Sequence, residues 1–168
     1  MPKIMVRADR AYRKQIDPRR LREAARKTLV HESAPSRAEL TLVITGDDEI
    51  RDLNRRYRGM DVPTDVLSFA DAEADMRLVE PIYLGDVIIS YPRAEAQAAS
   101  ARHPVTAELL LLVVHGVLHL LGHDHAGQAE KRKMWAAQKE ILNELGVGTS
   151  HGSPVRRATS LRRGEKLS

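Results

Sequence analysis

The stretch His115-Gly116-Val117-Leu118-His119-Leu120-Leu121-Gly122-His123-Asp124-His125 constrains the fold more than any other part of the chain. It follows the dense apolar run Leu109–Val114. Positions i and i+4 lie one turn apart on the same face of an α-helix, so His115 and His119 can reach one point in space. Gly122 follows three residues after His119, and glycine ends helices because it accepts a positive φ at the C′ position. The chain can then turn back and carry His125 to the same point. Three imidazoles with a fourth position left open are the ligand set of a catalytic zinc site, whereas closed structural sites use four protein ligands. The expectation is one divalent ion, zinc by ligand type, held by His115, His119 and His125.

The spacing is similar to that of the metzincin peptidases, with one difference. Those enzymes carry glutamate directly after the first histidine as general base. Here the residue is Gly116, so the ligand set is kept and the peptidase base is missing. Glu108 lies two helical turns before His115, too far to replace it.

The 168-residue chain suits a single domain with its own core, and 42% hydrophobic with 30% charged residues fits a soluble globular protein. Without cysteine there are no disulfides, thiolate ligands or thiol nucleophiles, which is compatible with a reducing cytosol. The N-terminus has no apolar signal-peptide core, and the apolar run near Leu109–Leu121 is too short and too interrupted to span a bilayer. A cytoplasmic location without membrane contact is expected. Arg156, Arg157, Arg162, Arg163 and Lys166 stand against Glu165 alone, so residues 149–168 carry the whole net charge of +4. No hydrophobic period remains there. The reading is a domain over 1–148 and a basic, disordered tail over 149–168. Residues 1–37 are also locally basic, which suits either a polyanionic partner or a solvated helix face.

Read in order, Ile4–Ala8, Glu39–Thr45, Val66–Phe69 and Ile82–Ser90 have strand character. Asp17-Pro18 caps a helix over 18–31, and Asp47-Asp48-Glu49 starts another. Further helices are expected from Pro92 to Arg102, after His103-Pro104, and over Gln128–Leu145, with Trp135 as a core anchor. Gly85 inside its strand signals a bulge or a close approach. The fold class expected is α+β: one domain with a four-stranded mixed sheet, about five helices, and the metal helix buried against the sheet.

Three stretches carry a family resemblance. His115–His125 resembles the signature of the YbeY family, bacterial ribosomal RNA maturation factors described as metal-dependent endoribonucleases. Tyr57-Arg58-Gly59-Met60-Asp61-Val62-Pro63-Thr64-Asp65-Val66-Leu67-Ser68-Phe69 resembles its arginine loop, and Leu84-Gly85-Asp86-Val87-Ile88 its glycine–aspartate strand. The resemblance covers about residues 3–146 and omits the tail. It implies an ion on His115, His119 and His125, a cleft lined by Arg58, and action on single-stranded RNA. It also implies 3′-end processing of small-subunit ribosomal RNA, ribosome quality control, and the small subunit or its proteins as partners. Arg58 is the candidate to bind and stabilise the reacting phosphate. Asp124 is a candidate base, or else a hydrogen-bond partner of a ligand histidine. Asp86 either shapes the substrate cleft or caps a turn. His123 reads as exposed, and His31, His103 and His151 as surface residues. The competing functions are a peptidase lacking the usual glutamate and a non-catalytic ribosome-assembly factor with structural zinc. Low aromatic content argues against a protein that reads bases by stacking.

Overall fold

The computed structural model describes residues 1–75, 77, 81–147 and 160–162. The elements run β1 (Lys3–Ala8), α1 (Pro18–His31), β2 (Ala38–Thr45), α2 (Asp47–Arg58), β3 (Val66–Ala70), β4 (Ile82–Ser90), α3 (Tyr91–Ala101), α4 (Val105–Leu120), α5 (Gln128–Glu144) and β5 (Ser160–Arg162). A short 3₁₀ turn, Arg13–Gln15, precedes α1. Strands β1, β2 and β4 are parallel, and β3 runs antiparallel on β4. These four strands are the mixed sheet expected from sequence. The three-residue β5 adds a fifth strand, parallel to β3, at its outer edge. It comes from within the tail read as disordered. The rest of that segment, with His151, lies outside the described residues.

Local chemistry accounts for the element ends. The Asp17 side chain accepts the Arg19 N–H at 3.0 Å, and Pro18 opens α1. Acidic Asp47, Asp48 and Glu49 fill the first turn of α2. That helix stops at Gly59, whose φ of +68° lets the Met60 N–H reach back to the Asn54 carbonyl. In β4, Leu84 is an extra residue. Glu39 faces Tyr83, but the next residue, Leu40, faces Gly85. Gly85 has φ +139°, and a Cβ there would lie 2.1 Å from the Phe69 carbonyl oxygen. The glycine thus marks both a bulge and a close backbone approach.

Alternation along the strands gives the sheet two apolar faces. Leu40, Leu42, Ile44, Val66, Val87 and Ile89 join the main core with residues of α1, α3, α4 and α5. Leu67, Phe69 and Ile88 turn the other way and meet Ile50, Leu53 and Tyr57 of α2. The result is three layers, with α2 the helix on that second face among the described residues. Helix α4 is apolar on every side and is correspondingly buried from Leu109 to Leu120, except for the partly buried Leu111. Each such aliphatic side chain contributes about 1.5–3 kcal/mol by leaving water. Trp135 is less of an anchor than expected. It is half-buried, and the Lys131 ammonium stands 4.6 Å over its ring.

Candidate metal centre

Helix α4 presents His115 and His119 from successive turns, with 0% and 1% of each residue exposed. After Leu121 the Gly122 N–H bonds to the His119 carbonyl and the His123 N–H to that of Leu118, both at 3.0 Å. Gly122 takes φ +96°, so the chain reverses there. The Asp124 carboxylate then accepts the backbone N–H of His125 at 2.7 Å, holding the turn that returns the third histidine. One nitrogen from each of His115, His119 and His125 lies within 4.8 Å of the others. The Nε2 atoms of His115 and His119 are 3.2 Å apart. Two nitrogens at zinc-bond length on a tetrahedral ion stand about 3.3–3.4 Å apart. The donor set therefore fits such an ion.

Protonation agrees with that fit. Burial, aided by repulsion from His119, holds His115 down to about 3 from its ordinary 6.5. Burial and His125 hold His119 down to about 4, against a smaller opposing pull from Asp124. Both rings are neutral at pH 7 and have a lone pair to give. Gln138 of α5 accepts from His115 Nδ1 at 2.9 Å, which leaves the Nε2 lone pair facing the site. Sequence reasoning missed Gln138. Its signal was a polar residue four after Met134 and three before Ile141, on the apolar stripe of α5.

Position 116 is now explained. A Cβ on Gly116 would stand 2.4 Å from Val87 Cγ1 and 3.2 Å from Ser68 Oγ. Ser68 Oγ donates to the Gly116 carbonyl at 2.9 Å. The residue after the first ligand thus faces the sheet, and glycine is what lets α4 lie close on β3 and β4. Asp65, also in the arginine loop, serves the fold. It is buried, accepts the Val66 N–H at 2.8 Å, and meets Gln97 of α3 at 3.3 Å.

Asp86 and Arg58 belong to the α2 side of the sheet. Asp86 alternates with Val87 and shares the α2 face with Phe69 and Thr41, across the sheet from α4. There the Tyr83 hydroxyl donates to it, and Thr41 meets Tyr83 at 2.6 Å. Arg58 ends α2 on that same layer. It is half-buried, and burial pulls its guanidinium below its ordinary pKa. Among the described residues it has no ion pair. Tyr57 packs edge-on against Phe69, with ring centroids 5.2 Å apart, and the neighbouring Ser68 touches Gly116. The C-terminal ends of α2 and α4 therefore flank the same part of β3 from opposite faces.

Three histidines read as exposed or surface groups are partly buried, each beside a carboxylate. The His123 side chain is 10% exposed and donates from Nε2 to Glu32 Oε1. His31 bonds Glu32 at 2.8 Å and Glu140 at 2.7 Å through its two nitrogens. His103 bonds Glu108 at 2.7 Å, which ties that buried carboxylate to the start of α4, away from the triad. In each case a carboxylate covers the ring.

Fold and site together define a class: a three-layer α+β protein with an open tri-histidine centre at the end of a buried helix. The comparisons place it within that class. Residues 7–146 match the family described as Endoribonuclease YbeY. The chain is 48% identical over 136 residues to the protein of that name from Chloroflexus aurantiacus, covering 78% of this chain and 88% of that protein. It is 47% identical over 125 residues to the one from Dehalococcoides mccartyi, covering 68% and 73%. The solution structure of TM1509 from Thermotoga maritima has a TM-score of 0.56 at 23% identity, covering 92% of this chain and 99% of that one, which shows a shared fold. The chain belongs to the YbeY endoribonuclease family.

Proposed function

We propose that this protein is a zinc-dependent endoribonuclease that hydrolyses single-stranded RNA, acting on the 3′ end of small-subunit ribosomal RNA and in ribosome quality control. The observation that carries the reading is the convergence of three imidazoles, two of them buried and neutral, in a chain of this family. His115, His119 and His125 would hold the ion. When bound, it would supply Lewis acidity and lower the pKa of a coordinated water toward neutrality. Gln138 keeps His115 in the ligating tautomer, and Asp124 keeps the His125 turn closed. Arg58, a half-buried cation at the C-terminal end of α2, is the residue we propose to hold the scissile phosphate. The basic tail adds general attraction for RNA, the small ribosomal subunit is the expected partner, and the cytoplasm the expected compartment. Among the described residues, no single helix is long and apolar enough to cross a membrane.

A peptidase reading is disfavoured by Gly116, because a side chain there would enter the sheet and not the site. The test is cleavage of a defined single-stranded RNA by protein of known zinc content, beside His119→Ala. The expected result is about one zinc per chain and zinc-dependent cleavage, both abolished in the variant. Zinc uptake without cleavage would make the ion structural and leave an assembly factor.

A further inference from the structure

His125 is the one ligand carried by a loop, and a loop residue loses backbone freedom when it is ordered. A ligand already held in place spares binding that cost. Two residues before His125, the ring of His123 turns inward and donates to the Glu32 carboxylate. Glu32 is itself firmly set. It caps the C-terminus of α1, its N–H bonded to the Thr28 carbonyl at 3.1 Å, and Ser33 follows in the left-handed region at φ +56°. Its other oxygen accepts from His31 Nδ1 at 2.8 Å, and the far nitrogen of His31 reaches Glu140 on α5 at 2.7 Å. Burial works to raise the Glu32 carboxyl, but the two histidines outweigh it and leave it below its ordinary range. The same helix α5 carries Gln138, two residues before Glu140, on the ligand His115.

We propose that Glu32 is a positioning residue for the metal loop: through His123 it clamps the Gly122–Gly127 segment to α1 and so presets His125 for the ion. The helix-borne ligands need no such device, because α4 fixes their spacing. His31 and Glu140 orient the Glu32 carboxylate and lock the clamp to α5. Partners one step removed from a metal typically contribute about 10–100-fold to its affinity. This inference rests on the tri-histidine site being a metal site.

The test measures zinc affinity by competition with a chelator in wild type, Glu32→Ala, Glu32→Gln, His123→Ala and the Glu32→Ala/His123→Ala pair. Thermal unfolding of each metal-free protein is recorded alongside. Glu32→Ala and His123→Ala should each weaken zinc binding about 10–100-fold. The double variant should be no weaker than either single one, because both remove the same hydrogen bond. Glu32→Gln keeps the side chain's size and one acceptor oxygen, and should recover part of the affinity. Zinc affinity unchanged in the folded variants, with only the unfolding temperature lowered, would make the pair a structural tie and overturn the proposal. Fully additive losses in the double variant would also overturn it. Wild-type protein that takes up no zinc would refute the metal reading itself, a result distinct from either.

Discussion

Gly116→Ala tests whether close approach of α4 to the sheet shapes the site. In an exposed helix interior this substitution stabilises by about 1 kcal/mol, because alanine loses less backbone freedom. Here the new Cβ would stand 2.4 Å from Val87 Cγ1 and 3.2 Å from Ser68 Oγ. Comfortable carbon contacts lie at about 3.5–4.0 Å, so something must move by about 1 Å. Val87 is fully buried on a strand bonded on both sides and has little room to yield. Overpacking of this kind costs about 1–3 kcal/mol. Displacing α4 also strains the hydrogen bond from Ser68 to the Gly116 carbonyl, an interaction worth about 0.5–1.5 kcal/mol. The net expectation is a destabilisation of about 1–3 kcal/mol, the propensity gain being outweighed. Urea unfolding of metal-free and zinc-loaded protein measures it as a lower midpoint at constant slope. Adding Val87→Ala should make room and give a favourable coupling of about 0.5–3 kcal/mol. A Gly116→Ala protein as stable as wild type would refute the packing account, and Gly116 would again be simply a missing base.

The metal-free protein should lose stability as pH falls. His115 and His119 bind protons at about 6.5 when unfolded and only near about 3 and about 4 when folded, so the unfolded state takes up more protons in between. Their contribution is complete above about pH 6.5 and declines below it by up to about 1.4 kcal/mol per pH unit for each ring, while Asp65 and Glu108, raised by burial, and His31, raised by its hydrogen bond to Glu140, work in the opposite direction. Urea midpoints that stay flat from about pH 7 to 5 would contradict it. Arg58→Ala should slow single-turnover RNA cleavage about 10²–10³-fold with zinc content intact, and Arg58→Lys should rescue only part. Full activity in zinc-loaded Arg58→Ala would remove this arginine from the mechanism. Truncation after Gly148 removes the tail charges and β5, and should weaken RNA binding. The log–log salt slope should flatten by about 0.7 for every phosphate the tail no longer neutralises. Turnover at saturating RNA should hardly change, and an unaltered salt slope would exclude the tail from RNA binding.

What the sequence determined by itself was local. The i, i+4 spacing of His115 and His119, the turn at Gly122, the cap at Asp17-Pro18 and the bulge at Gly85 each follow from neighbouring residues, and each stands in the structure. Tertiary structure decided which face each residue meets. Alternation in β4 puts Asp86 and Val87 on opposite sides, but only the packing of α4 reveals which side holds the histidines. Read along the chain, Gly116 is an absent base, while in the fold it is the point that seats the metal helix. Gln138 and Glu32 escaped notice because they lie 23 and 91 residues from the histidines they hold. His123 reads as exposed for the same reason, since the carboxylate that covers it comes from the end of α1. Local spacing specifies a ligand set, because helix and turn geometry repeat from one chain to another. The partners that orient those ligands come from distant elements, and only the packing of α1, α4 and α5 brings them together.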